Sequence, residues 1–225
     1  MAKILVCGAT RTEAEACRQG IVKSGLENRF EILQSGIGQA SAAESLKARL
    51  QSGPKPSLIV SSGFAGSWSR DLDTGTWISA SWLSNDLKDS IQGLKLIAAA
   101  TPTHLISVPE ILETPPKELL QGLSELPVAV DMESFALALV ARAAGVEFRV
   151  LRYVTDSPKH PLPAFVRHFT DVAVRKDLSS RMGALLKGSR ALISGPAEVA
   201  TFMKHGVRWR SELINGWARF ASSFL

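Results

Sequence analysis

At 225 residues, 45% hydrophobic and 21% charged, the chain has the make-up of a folded globule, which excludes wholesale disorder and collagen-like structure. No apolar run nears the roughly 20 residues of a spanning helix, MAKILVCGAT lacks the apolar core and cleavage site of a secretory signal, and Cys7 and Cys17 alone make neither a disulfide framework nor a zinc site, so a cytoplasmic setting with reduced thiols and no metal is expected. The net charge of +5 lies mostly in Leu186–Leu225, where six cations stand with two anions; without a zinc-finger or RNA-recognition signature this argues against nucleic acid and leaves a solvated helix face, an anionic membrane surface or an acidic partner.

Along the chain, Lys3–Cys7 (KILVC) reads as a strand and Arg11–Ser24 as a helix. Phe30–Gln34 is a second strand, followed by the turn Ser35–Gly38 and a helix from Gln39 to about Gln51. After the Ser52–Pro56 loop, Ser57–Ser61 reads as a buried strand ending in a small-residue turn, Ser62–Gly66. Thr76–Trp82, Leu94–Ala100, Val128–Asp131 and Phe148–Val154 are further strands, with a helix over Met132–Ala144. Strands alternating with helices of this length indicate an α/β domain with a mostly parallel sheet.

Beyond Pro161 the strand signal ends, and helical stretches are broken at Gly188 and at Ser194-Gly195-Pro196. Trp209, Leu213, Trp217 and Phe220 recur at helical spacing, one apolar stripe on a helix that also carries Arg208, Arg210 and Arg219. The stripe either docks on the domain or serves as a lid or interfacial helix. The expected division is residues 1–190 as the α/β domain and 191–225 as a helical extension packed on it.

Ligands of open parallel sheets bind at the carboxyl ends of the strands. Small or polar residues gather there in Gly8–Glu15, Ser35–Gly38, Ser61–Gly66, Asp131–Ser134 and Thr155–Ser157. Glu13 and Glu133 open helices, where carboxylates also complement the helix dipole, and Asp156 follows the last strand, where it could equally be a turn residue. Three carboxylates at one sheet edge would suit general acid, general base and hydroxyl-binding work.

KILVCGATRTE (Lys3–Glu13), Ser61–Gly66, VDMES (Val130–Ser134) and RYVTD (Arg152–Asp156) occur here in an order and spacing that resemble the nucleoside phosphorylase/nucleosidase superfamily, over roughly residues 1–160. The VDMES and RYVTD pair is the specific part. The resemblance implies a three-layer α/β/α fold with a central, mostly parallel mixed sheet. It implies a homodimer, and hydrolysis of a purine N-ribosyl bond without cofactor. By position, Glu13 would activate water, Asp156 would protonate or hydrogen-bond the leaving purine, Met132 and Glu133 would hold the ribose, and Arg152 would lie near both water and ribose. Phe64, Ala65 and Gly66 would line the substrate. The chemistry has its own logic: an oxocarbenium-like state needs a neutralised leaving group, a shielded sugar and a nucleophile.

Water is preferred to phosphate as nucleophile, because Leu58–Ser62 has no arginine and Glu13 beside Arg11 would repel phosphate. Phosphorolysis is the alternative, and a silent nucleoside-binding module the alternative of another class. Two features depart from the methylthioadenosine enzymes: Phe64 in place of their serine, and a Val108–Lys117 segment without base-stacking aromatics. Together with the proline-rich Ser157–Pro163 they resemble the hopanoid-associated subgroup, which implies an adenine nucleoside with a large apolar 5′ group such as adenosylhopane. Such a substrate would suit peripheral membrane contact through the basic C-terminal helix.

Overall fold

The computed structural model describes residues 2–112, 116–120, 125–163, 166 and 196–225. In chain order it contains β1 (Ile4–Gly8), α1 (Arg11–Lys23), β2 (Phe30–Gln34), α2 (Gln39–Ser52), β3 (Leu58–Ser67), β4 (Trp77–Asn85) and β5 (Ser90–Gln92). There follow β6 (Thr101–Ser107), α3 (Lys117–Leu120), β7 (Val128–Asp131), α4 (Ser134–Ala143), β8 (Glu147–Asp156) and α5 (Pro196–Phe220). The expected boundary near residue 190, the break at Gly188 and the helical stretches before Ser194 lie outside the described residues.

The sheet runs β2-β1-β3-β7-β6-β4-β5, and β8 pairs with both β3 and β4. Pairing therefore circles from β3 through β7, β6, β4 and β8 back to β3, curling the sheet towards a barrel. The pairs β1–β2, β1–β3, β3–β8, β4–β6 and β6–β7 are parallel, and β3–β7, β4–β5 and β4–β8 antiparallel. The fold is the mixed, mostly parallel α/β arrangement that the strand–helix alternation predicts.

Strand alternation sorts the core into two faces. Leu5, Cys7, Ile59, Val150 and Val154 pack with Ala42 and Leu46 of α2 and with Phe135, Leu137 and Ala141 of α4. Ile4, Val6, Val60, Leu151 and Tyr153 pack on the opposite face with Ala16, Cys17 and Ile21 of α1 and with Leu213, Ile214, Trp217 and Phe220 of α5. The stripe on α5 is thus docked: Leu213 and Trp217 are fully buried, and Trp209 is half-buried. Glycines make the contact close, since a Cβ at Gly20 of α1 would stand 2.4 Å from the Ile214 carbonyl and 2.5 Å from Trp217 Cβ. Of the stripe's arginines, Arg210 donates to Gln19 Oε1 at 3.0 Å and Arg219 lies over the Phe220 ring.

Three expectations are corrected. Ser62–Gly66 is not a turn: β3 continues through it because β8 pairs alongside from Leu58 to Gly66, with a bulge at Ala65/Gly66. Leu94–Ala100 is a loop, anchored by Ile97, whose N–H donates to Ser79 Oγ at 3.1 Å, and the strand is the next segment, Thr101–Ser107. That strand tolerates Pro102 because β7 joins it only from His104 onward, so the missing N–H costs no ladder bond on that side. Finally, the helix expected from Met132 begins at Ser134, leaving Glu133 as its cap residue.

Candidate active site

Gly63–Gly66 of β3 is the floor on which the site is assembled. Phe64 donates its N–H to Glu13 Oε1 at 2.9 Å and its carbonyl accepts from Arg152 Nη1 at 2.9 Å. The Ala65 carbonyl accepts from Thr155 Oγ1 at 3.4 Å. A Cβ at Gly66 would stand 2.7 Å from Asp156 Oδ2, and one at Gly63 only 2.2 Å from Glu13 Oε1. Gly63 also has a φ of +144°, backbone that side chains rarely adopt. The small residues admit two carboxylates to one strand edge, one from α1 and one from β8.

Glu13 is positioned by the start of its own helix. Thr10 and Glu13 form a capping box: the Glu13 N–H donates to Thr10 Oγ1 at 3.2 Å, and Thr10 N–H and Oγ1–H both donate to Glu13 Oε2 at 2.8 Å. The buried carboxylate is thus held by Oε2, while Oε1 carries one bond, from Phe64, and keeps acceptor capacity for another donor.

Arg152 is the buried cation at the centre. Its Nη2 lies 2.7 Å from Asp131 Oδ2 and 3.5 Å from Glu133 Oε2, and donates to Ser61 Oγ at 2.9 Å. Asp131 in turn accepts from Ser107 Oγ at 2.5 Å and from the Ser134 N–H at 3.1 Å. A buried charge needs this many partners. Asp131, Ser61, Ser107 and Ser134 are therefore the residues that set Arg152; Asp131, Ser61 and Ser134 belong to the strand-end groups named above, without a role, whereas Ser107 ends β6, a strand the sequence pattern did not reveal.

Glu133 receives the Gly38 N–H on Oε1 at 2.9 Å. Burial pushes its carboxyl up to about 7, helped by the negative Asp131 and Glu13 and opposed by Arg152 and the Gly38 N–H. Asp156 ends β8, and its Oδ1 accepts from Thr155 Oγ1 at 2.9 Å. Burial pushes its carboxyl up to about 6, against that hydrogen bond, so it can carry a proton near neutrality.

The structure brings Glu13, Phe64, Ala65, Gly66, Glu133, Arg152 and Asp156 to this edge, with half-buried Met132 preceding Glu133. Phe64 turns its ring to Trp209 of α5, 6.4 Å between centroids, so the C-terminal helix walls one side of the floor. Arg11, weighed as a phosphate ligand, stands exposed at the start of α1. Among the described residues no cluster of His, Cys, Asp and Glu could hold a metal ion. Cys7 and Cys17 are buried free thiols, both pushed up to about 12 chiefly by burial.

Residues 105–189 match the model of the Phosphorylase superfamily. No curated protein matches the chain. Among solved structures, the 5′-methylthioadenosine/S-adenosylhomocysteine nucleosidase of Helicobacter pylori with butyl-thio-DADMe-Immucillin-A is 18% identical, covers 86% of this chain and 98% of its own, and superposes with a TM-score of 0.59. The Chlamydia trachomatis MTAN bound to MTA is 15% identical over 100% of both chains, with a TM-score of 0.56. The futalosine hydrolase of Helicobacter pylori is 17% identical, covering 86% of this chain and 97% of its own, with a TM-score of 0.57. At these identities the likeness is one of fold: this chain has the three-layer fold of those nucleosidases.

Proposed function

We propose that the chain is a nucleosidase that hydrolyses the N-ribosyl bond of a purine riboside. The observation that carries this reading is the convergence on Gly63–Gly66 of Glu13, with acceptor capacity on Oε1, and of Asp156, a carboxyl poised near pH 6, beside the Glu133–Arg152 pair. Asp156 gives its proton to the departing base as the C–N bond lengthens. Glu133 accepts the ribose hydroxyls and offsets positive charge growing on the sugar. Glu13 takes the proton from the attacking water, whose oxygen bonds to the anomeric carbon. Each part answers one demand of an oxocarbenium-like transition state.

Water is the nucleophile in this reading. Arg152 directs its donors to Asp131, Ser61, Ser134 and the Phe64 carbonyl, so the buried cation is engaged where phosphorolysis would need it for phosphate. The finer substrate is an adenine nucleoside with a large apolar 5′ group, of the adenosylhopane kind, supported by the apolar Phe64 and Trp209 wall in place of a polar one. The test is incubation with methylthioadenosine and other adenosine derivatives, with and without phosphate. Free ribose derivatives at a phosphate-independent rate are expected. A ribose 1-phosphate product would overturn hydrolysis, and no base release from any riboside would overturn the nucleosidase reading.

A further inference from the structure

Two polar contacts tie α1 to β3. Glu13 Oε1 accepts the Phe64 N–H at 2.9 Å, and one turn further along the helix Cys17 Sγ–H donates to Ser62 Oγ at 3.7 Å. The spacings match: four residues of helix rise about 6 Å, and two residues of strand about 6.6 Å. Glu13–Phe64 and Cys17–Ser62 therefore close together, with α1 and β3 running in opposite directions here. A slide of α1 along β3 that lengthens one contact displaces the other with it.

Ser62 is fully buried, and its hydroxyl takes a second donor, Trp217 Nε1 of α5, at 2.9 Å. A hydroxyl oxygen accepts through two lone pairs, and here both are used. Neither donor is free to turn into an acceptor: an indole N–H only donates, and burial keeps Cys17 a thiol, pushed up to about 12. The helix that brings Trp217 is itself seated on α1, where Gly20 meets Ile214 and Trp217. So α1, β3 and α5 join at one oxygen, on the sheet face away from Arg152, while the next residue, Gly63, faces Glu13 Oε1. Were Ser62 there only to satisfy the indole, its loss would lower stability and leave Glu13 in place. The helix shared by Cys17 and Glu13 makes that separation impossible.

We propose that Ser62 is a positioning residue for Glu13: its hydroxyl, held by Trp217 from α5, sets the register of α1 on β3 through Cys17, and with it the place of the Glu13 carboxylate against the Phe64 N–H. The kinetic consequence rests on the nucleosidase reading, in which Glu13 takes the proton from water. The structural consequence does not.

Two measurements on Ser62→Ala, which removes the acceptor of both donors, test it separately. The first is turnover of methylthioadenosine. A fall in kcat of roughly 10- to 100-fold is expected, since a displacement nearing an ångström costs about 10²-fold, with KM nearly unchanged. In a Glu13→Gln background the same substitution should cost nothing further. Wild-type kcat, a loss carried by KM alone, or a further loss of equal size in the Glu13→Gln chain overturns the proposal. The second is amide hydrogen exchange followed by NMR, which needs no turnover. The Phe64 amide, bonded to Glu13, should exchange faster than in wild type by about tenfold more than the Leu5 and Val6 amides, which report opening of the whole core. That result supports the positioning role even if no riboside is cleaved and the nucleosidase reading has failed. Equal acceleration of all three amides, or none, overturns it whether or not ribosides are cleaved. Trp217→Phe, which keeps the ring and frees one lone pair of the hydroxyl, serves where the alanine chain does not fold and should move both measurements the same way; wild-type kcat with wild-type Phe64 exchange in that variant overturns the proposal as well.

Discussion

Gly63 decides whether Glu13 can stand where it does. Its φ of +144° and the 2.2 Å from its Cβ position to Glu13 Oε1 leave no place for a side chain. Gly63→Ala should displace the carboxylate by about an ångström, a misplacement that costs roughly 10²-fold in rate. The expected result is a fall in kcat of that order on methylthioadenosine with the circular dichroism of the folded protein retained. A near-normal kcat would mean that Glu13 acts from elsewhere or not at all. Asp156 allows a second prediction with a sign. Burial raises its carboxyl to about 6 in the folded chain, against about 4 unfolded. The folded state therefore holds this proton more tightly. The stability it contributes is complete below pH ~4 and lost as pH rises through about 6. Asp156→Asn removes that loss, so its thermal midpoint should exceed wild type at pH 8, reflecting a free-energy difference on the order of 3 kcal/mol at most, and not at pH 4. The same variant should be slower by roughly 10²–10⁴, and wild-type kcat/KM should decline above pH 6. Midpoints equal at both pH values would show that the carboxyl is not buried as described, and near-normal turnover would remove it from the mechanism.

At the scale of elements, the crossing of α1 and α5 is the contact most sensitive to one methyl group. Gly20→Ala should gain about 1 kcal/mol of helix propensity, yet its Cβ would stand 2.4 Å from backbone that belongs to the other helix. Overpacking of this kind costs typically 1–3 kcal/mol, so a lower urea midpoint with an unchanged slope is expected; a raised midpoint would mean the helices part freely. The elements also show where sequence periodicity sufficed. β1, β2, β7, α1 and α2 stand within a residue or two of their expected bounds, because each has a continuous apolar run or helical spacing that ends where the element ends. β6 escaped because Pro102 and the buried His104 interrupt its apolar pattern, while the neighbouring LKLIAAA imitates a strand. Local sequence does not say that β7 leaves the first residues of β6 unpaired. The site divides in the same way: Glu13, Glu133 and Asp156 could be read off strand ends and helix starts, whereas Arg152, inside β8, was legible only through the resemblance of RYVTD. Asp131, Ser61 and Ser134 also lie in the strand-end groups, but their role could not be read there, because it exists only once Arg152 has been buried beside them.

For the molecule as a whole, α5 supplies much of one core face and not an appendage to it. Leu213, Trp217, Phe220 and, just beyond, Phe224 are buried against β1, β3, β8 and α1. Trp217 Nε1 donates to Ser62 Oγ at 2.9 Å, one residue before the Gly63–Gly66 floor. Each of the aromatics buries roughly 150–250 Å², which at ~25 cal/mol/Å² is about 4–6 kcal/mol before the cost of ordering the helix is subtracted. Against a typical net stability of roughly 5–15 kcal/mol, losing three such residues is more than the rest of the domain can offset. Truncation after Gly195 should therefore yield protein that aggregates or exposes apolar surface, and it should lose activity through the floor that Trp217 and Trp209 support. Trp217→Phe, which keeps the ring and removes the N–H, separates the two effects. Its stability should fall by an amount on the scale of one buried hydrogen bond, roughly 1–3 kcal/mol, with the fold retained. The decisive measurement is dye binding and sedimentation of the truncated chain beside the full one. A truncated chain that stays monomeric, binds no dye and still cleaves a riboside would show that residues 1–195 form their own core, and that α5 only rests on it.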